Sequence, residues 1–332
     1  VKALIALLAV LILAGLPLVL TNGGSTGLRF FFGVIAPYIG MAVFLLGIIV
    51  RIISWAKSPV PFRIVTTCGQ QKSLKWIKSS KLENPHTFWG AVGRMALEIL
   101  CFRSLFRNTK AELREGPKLA YGADKWLWAA GLAFHWSLLI IFLRHFKYFA
   151  EPVPYFVTVI QNLDGFFQVG LPILYITDII VIVALTYLFL RRVFIPQVKY
   201  ISLPADYFAL FLLLGITVSG VSVRYLFKTD IVGVKELGTG LLSFSPVVPD
   251  SIGASFFVHL FLVSCLMIYF PFSKLMHMGG VFLSPTRNLV NNSRAKRHIN
   301  PWNHDVKVHT YEEYEDEFRD VMREAGLPLE KE

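Results

Sequence analysis

Apolar residues in this chain come in long, nearly unbroken runs, separated by connections rich in charge, proline and glycine. A helix rises about 1.5 Å per residue, so roughly 20 apolar residues cross a bilayer core about 30 Å thick. Six runs meet that test: Val1–Thr21, Leu28–Trp55, Trp126–Phe149, Phe166–Phe194, Ala205–Phe227 and Ser251–Phe272. The pattern predicts an all-α polytopic membrane protein, a bundle of six transmembrane helices. Lys2 before an apolar run is also how a secretory signal begins, but the run is long and no small-residue cleavage site stands out, so it reads as a retained helix. Gly23 and Gly24 predict a tight turn after it. The last run is expected to continue as helix to His277.

Composition agrees with a lipid setting. Of 332 residues, 55% are hydrophobic and 17% charged, with a mean hydropathy of +0.56, against about 25% charged in soluble domains. Between Arg51 and Lys125 there are 14 Lys or Arg and 5 Asp or Glu, a net +9 out of +11 for the whole chain. Basic loops stay in the cytoplasm, so that loop and both termini are expected there, in a multi-pass membrane protein. Positive-inside topology and anionic headgroups account for the basicity, and nucleic acid is not expected as a partner. The chain divides into two N-terminal helices (1–56), the basic loop (57–125), a four-helix core (126–278) and a cytoplasmic tail (279–332). Within the loop, Trp89–Phe106 carries an apolar stripe suited to an interfacial helix. In the tail, acids from Glu312 to Glu317, bases at Arg319 and Arg323 and a stop at Gly326 predict a capped helix.

Four histidines lie inside the apolar runs. His135 and His145 are ten apart in the third, and His259 and His277 are eighteen apart in the sixth. An ionisable group in hydrocarbon points to function, because leaving it unpartnered is costly. The gaps correspond to about 15 and 27 Å along a helix. With the two helices antiparallel, His135 falls level with His277 toward the cytoplasm, and His145 with His259 toward the outside. Two bis-imidazole b-type haems stacked across the membrane suit that arrangement. Ten-residue spacing does not converge on one bare ion as i, i+4 ligands do. His135 and His145 point about 80° apart on an ideal helix, which requires bending, with Pro271 a contributor on the sixth span. Cys68, Cys101 and Cys265 provide neither four cysteinates for an iron–sulfur cluster nor the Cys-x-x-Cys-His of covalent haem. The alternatives are a transporter or proton channel with the histidines as a relay, and a purely structural anchor in which they join helices.

The ten-and-eighteen spacing over Trp126–Met278 resembles the gamma subunits of respiratory nitrate reductases. Outside it, the strings Pro61-Phe62-Arg63-Ile64-Val65-Thr66-Thr67-Cys68-Gly69-Gln70-Gln71, Arg94-Met95-Ala96-Leu97-Glu98, Asn300-Pro301-Trp302 and Val306-Lys307-Val308-His309-Thr310-Tyr311-Glu312-Glu313-Tyr314-Glu315 resemble the DsrM family, the cytochrome b subunits of DsrMKJOP complexes in sulfur-metabolising prokaryotes. That resemblance spans nearly the whole chain. It implies two haem b groups ligated by His135 with His277 and by His145 with His259. It also implies electron exchange with menaquinol, and a cytoplasmic iron–sulfur partner related to heterodisulfide reductase (DsrK-like) beside other membrane and outer-side subunits. The chain is then an electron-transfer subunit of a quinol oxidoreductase complex, with no independent catalytic residue. Where the nitrate reductase family places a quinol-site lysine, this chain has Asp164, Gly165 and Gln168. Arg144, Lys147 and Arg224 are candidate propionate donors at the outer side, with Arg191 and Lys274 at the inner; snorkelling to headgroups is the competing role. Tyr148, Asp164 and Gln168 are candidate quinone contacts. The first two helices, outside the haem core, are expected to meet a neighbouring membrane subunit.

Overall fold

A computed structural model describes residues 1–23, 25–58, 69–106, 110–116, 118–122, 124–165, 172–284, 287–294 and 307–331. Helix α1 covers Lys2–Asn22 and α2 Thr26–Ala56. Pro37 cannot donate to the carbonyl one turn back, and α2 loosens into a π turn over Phe31–Ile35 just before it. Helix α3 spans Phe88–Cys101, with the Thr87 hydroxyl accepting from Gly90 N–H at 3.2 Å. Next come α4 (Lys125–His145), α5 (Tyr155–Asp164), α6 (Ile176–Phe194), α7 (Pro204–Leu226), α8 (Ile231–Leu242), α9 (Ala254–Tyr269) and α10 (Tyr311–Glu324).

Among the described residues, five helices are long and apolar enough to cross a membrane: α1, α2, α4 with the turn to Tyr148, α7, and α9 with the turn to Phe272. The fourth predicted span appears as α6, which carries Asp178, Arg191 and Arg192 and falls outside that group; residues 166–171 of the predicted span lie outside the described residues. Apolar side chains project outward along the spans, Leu4, Leu8, Leu11 and Ile12 on α1 and Leu45, Leu46, Ile49 and Val50 on α2 among them. Surface of that kind is stable only against lipid or another apolar surface. Helix α4 packs on α6, α6 on α7, α7 on α1 and α9, and α9 on α1 and α2. The two N-terminal helices therefore pack on the core of their own chain. Gly40 permits the α2–α9 contact, since a Cβ there would lie 3.1 to 3.3 Å from Ser264 atoms.

Three expectations need correction. The basic loop contains an antiparallel hairpin, β1 (Lys110–Arg114) and β2 (Lys118–Gly122), turning at Gly116 with φ +73, so the fold is mostly helical and not all-α. The predicted interfacial helix stops at Cys101, where Phe102 turns left-handed at φ 49, and only a short turn, Arg103–Phe106, follows. The sixth span does not stay α-helical to His277. After Tyr269 it passes through a 3₁₀ turn containing Pro271, an extended Ser273 and a second 3₁₀ turn, Lys274–Met276. The predicted turn after the first span holds Gly23, while Gly24 lies outside the described residues.

The tail helix α10 is capped as its sequence predicts. The Thr310 hydroxyl accepts from Glu313 N–H at 3.2 Å, and the Glu313 carboxylate accepts from Thr310 N–H at 3.1 Å. Gly326 at φ +67 reverses the chain. The return strand donates Glu330 N–H and Lys331 N–H to the buried Glu315 carboxylate at 2.7 and 2.9 Å. Those bonds hold the Glu315 pKa below its ordinary value of 4.5. A depressed carboxylate stabilises the fold at neutral pH and loses that contribution as pH falls through the folded pKa. Acidification below the usual glutamate range is thus expected to release residues 327–331 from α10, read as lower amide-exchange protection at Glu330 and Lys331, relative to the intrinsic rate at each pH. In the membrane part, Gly40→Leu is expected to overpack the α2–α9 contact at a cost of about 1–3 kcal/mol, seen as a lower thermal midpoint in detergent.

Candidate functional site: two histidine pairs between α4 and α9

The four histidines meet in the pairs that their spacing predicts, with His277 just beyond the end of the last span. The ring centroids of His135 and His277 are 6.0 Å apart with planes at 83°, and those of His145 and His259 are 6.3 Å apart with planes at 20°. Yet α4 and α9 are not among the helix pairs whose backbones pack extensively. The break around Pro271 and Ser273 re-aims His277, which removes the angular conflict of two ideal helices. Between the two levels lies apolar packing: Phe134, Leu138 and Ile141 of α4 share a cluster with Leu213 of α7 and Leu266 of α9.

Each imidazole is oriented through Nδ1. The acceptors are the carbonyls of Gly131 for His135 at 2.7 Å, Ile141 for His145 at 2.6 Å, Lys274 for His277 at 2.8 Å and Ile216 for His259 at 3.1 Å. Ser219 Oγ lies a further 3.1 Å from His259 Nδ1. Among the described residues, every hydrogen bond of these four rings runs through Nδ1. A proton held there leaves the Nε2 lone pair free, the arrangement in which metal-bound histidines are usually found. Gly220 makes room for His259, since a Cβ there would lie 2.9 Å from its ring.

The donor set suits a macrocycle better than a bare ion. Among the described residues, no three His, Cys, Asp or Glu side chains converge to hold a metal. Two imidazoles are what an iron already held by four porphyrin nitrogens requires. An imidazole nitrogen sits about 2 Å from a first-row metal and the ring centre about 1 Å beyond, so two rings facing across one iron are about 6 Å apart. Both measured separations match, and the residues present fit a bis-imidazole haem at each level.

A polar cluster lies beside the His145 pair. Arg144, expected as a propionate donor, is instead buried between two carboxylates, 3.2 Å from Asp164 Oδ2 through Nε and 2.5 Å from Asp178 Oδ1 through Nη2. Thr177 ties the set together, donating N–H and O–H to Asp164 at 2.9 and 2.6 Å. Tyr225 O–H donates to Asp178 at 2.8 Å, and the Arg144 guanidinium lies 3.8 Å from the Tyr175 ring centre. Asp164 is therefore Arg144's partner and no free quinone contact; Gln168 lies outside the described residues. Arg224, on a π turn of α7, donates to the Ile173 carbonyl at 3.1 Å and lies 4.4 Å from the Tyr175 ring centre. Tyr148 stands 5.8 Å from His145, ring to ring, and Lys147 reaches over the Tyr148 ring. Among the described residues, neither Arg224 nor Lys147 has a carboxylate partner, whereas Lys235 is paired with Glu151.

At the other level, both expected propionate donors are taken by carboxylates. Lys274 binds Asp206 at 2.8 Å and Arg191 binds Asp124 at 2.9 Å. The Phe102 ring packs edge-on to His135 at 4.9 Å. Trp128 and Trp136 of α4 donate their indole N–H groups to the final carbonyls of α3, Cys101 at 2.7 Å and Leu100 at 3.1 Å, pinning that helix over the His135 pair. Sequence reasoning missed Asp178, Tyr225, Ser219, Gly220 and Phe102. Asp178 carried a signal, an acid inside an apolar run; the others are defined only by what they touch.

Arg144→Gln removes the cation from two buried carboxylates, and a buried ion pair broken from one side costs about 3–5 kcal/mol. That variant is expected to lose much of its resistance to thermal unfolding in detergent, while Arg144→Gln with Asp164→Asn and Asp178→Asn recovers part of it.

Residues 86–295, a stretch that includes all four histidines, match the family described as nitrate reductase gamma subunit. Two curated archaeal proteins named Hdr-like menaquinol oxidoreductase cytochrome b-like subunit are similar over most of their lengths. That of Archaeoglobus fulgidus is 47% identical over 278 residues, 82% of this chain and 83% of its own, and that of Archaeoglobus profundus is 40% identical over 273 residues, 80% and 81%. This membrane protein thus belongs to the nitrate reductase gamma subunit family, and to the group of cytochrome b-like subunits that these archaeal relatives represent.

Proposed function

We propose that the chain is the dihaem cytochrome b subunit of a membrane complex, carrying electrons between menaquinol and a cytoplasmic iron–sulfur subunit of the heterodisulfide-reductase type. The names of the archaeal relatives support the menaquinol and the Hdr-like assembly. The resemblance to DsrM supports a DsrK-like partner, further membrane and outer-side subunits, and a place in sulfur or sulfite metabolism. The single observation that carries the reading is geometric: two imidazole pairs at 6.0 and 6.3 Å, all four rings oriented through Nδ1.

In this reading His135 and His277 hold the cytoplasmic-side haem b and His145 and His259 the outer one. The haems that these two histidine pairs would hold would supply single-electron transfer when bound. Helix α6 is the sixth crossing. Its 19 residues reach about 28 Å, its Asp178 is paired with Arg144, and Arg191 and Arg192 stand at its end. The basic loop, α3 and both termini then face the cytoplasm. On the outer side, Arg224 and Lys147 are the cations left for haem carboxylates, and Tyr148, whose ring lies beside His145, would hydrogen-bond a quinol oxygen through its hydroxyl. Menaquinol oxidised there yields two electrons for the inward path and two protons released outside.

Detergent-purified chain from cells with ample haem supply is expected to show a reduced-minus-oxidised b-type spectrum and two haems per chain by pyridine haemochrome. His145→Ala and His259→Ala should each remove one spectral species, and His135→Ala and His277→Ala the other, leaving about one haem. Loss of the same species in His145→Ala and His277→Ala would refute the pairing, and a colourless wild-type chain would refute the function.

A further inference from the structure

We infer that one face of the tail helix α10 is the docking element for a soluble protein whose apolar groove carries a Lys/Arg-rich edge. This rests on the proposed function, which requires an electron acceptor on the cytoplasmic side, and identifies that acceptor as the occupant. Four apolar side chains follow one another along α10 at helical spacing: Tyr311, Tyr314, Phe318 and Val321 are 47, 47, 40 and 63% exposed. At 100° per residue they fall within one quarter of the helix. Tyr314 and Phe318 already touch, with ring centroids 4.9 Å apart. The neighbouring face, with Glu315 and Met322, is covered by the returning segment, which also accepts the Tyr311 hydroxyl at the Pro328 carbonyl at 3.0 Å, so Tyr314, Phe318 and Val321 form the open part of the stripe.

Charge selects the occupant. The remaining side of α10 neutralises its acids internally: Arg319 binds Asp316 at 2.6 Å, Arg323 approaches Asp320 at 3.8 Å and Lys331 binds Glu312. The open edge of the stripe is different. Glu317 and Glu324 have no cation among the described residues, and Glu313 has only the His309 ring at 3.9 Å. An apolar stripe edged by uncompensated carboxylates is repelled by the anionic cytoplasmic leaflet. It complements an apolar groove with basic residues along one side, the helix-in-groove mode of recognition.

The test isolates the complex in mild detergent from cells producing the tagged full chain. Its iron–sulfur subunit is the probe, identified by mass, counted by non-haem iron and assayed for reduction by a menaquinol analogue. Tyr314→Ser with Phe318→Ser, and separately Glu317→Lys with Glu324→Lys, should lower its retention about ten-fold or more while the b-type spectrum stays intact. Asp320→Lys, on the far side, should leave retention unchanged. Full retention in both double variants with haem intact overturns the docking inference alone. A stripe variant that keeps the iron–sulfur subunit but alters the oligomeric state of the chain assigns the face to a second copy and overturns it too. A colourless wild-type chain overturns the proposed function, and this inference with it.

Discussion

A main-chain carbonyl at the Nδ1 of each histidine is the constraint from which the rest of the site follows. In hydrocarbon no water is present to satisfy an imidazole N–H, so the ring must find a protein acceptor. An α-helix offers one: the carbonyl four residues back, already bonded to a main-chain N–H, has a second lone pair within reach of the side chain. His135 and His145 use it through Gly131 and Ile141. His259 takes a carbonyl of the neighbouring helix α7. His277 lies just beyond a break and takes the carbonyl of Lys274 from a 3₁₀ turn. Three local geometries give one chemical result, a ring held through Nδ1 whose centre lies about 6 Å from its partner's.

The same scarcity of solvent explains the Arg144 cluster. A lone arginine, or a lone Asp178, would be costly when buried, and together they are tolerated because their charges offset and Arg144 Nη2 donates to Asp178. Arg144 joins α4 to α5 through Asp164 and to α6 through Asp178, and Tyr225 brings in α7. The cluster therefore fixes the position of the helix carrying His145 relative to its neighbours. It also sorts the cations at that level. One is consumed by structure, and two, Arg224 and Lys147, have no carboxylate partner among the described residues. At the His135 level the sorting goes the other way, since Lys274 and Arg191 both hold protein carboxylates.

Close approach of backbones supplies the remaining precision. Gly40 brings α2 onto α9 and Gly220 lets the His259 ring lie against α7. At Gly238 of α8 even a Cβ would collide with the Tyr148 carbonyl, so that glycine lets α8 close over the turn carrying Tyr148. At each of these points a methyl group would push an element away from the site, which makes small residues part of the positioning and not merely gaps in the packing.

By itself the sequence determined the lipid setting, the places of five spans, which of the four histidines lie together, and the capped tail helix. Those features rest on period, run length and charge, which act over a few turns and survive any tertiary arrangement. It did not determine the hairpin of the basic loop, the short helices α5 and α8, the end of α3 at Phe102 or the break after Tyr269. Nor did it show that Arg144 and Asp164 belong to each other. The tertiary structure alone decided which buried charge meets which, because a partner 20 or 34 residues away is chosen by how helices stack in three dimensions. A polar group in a medium without water has no fallback but the neighbour that stacking brings.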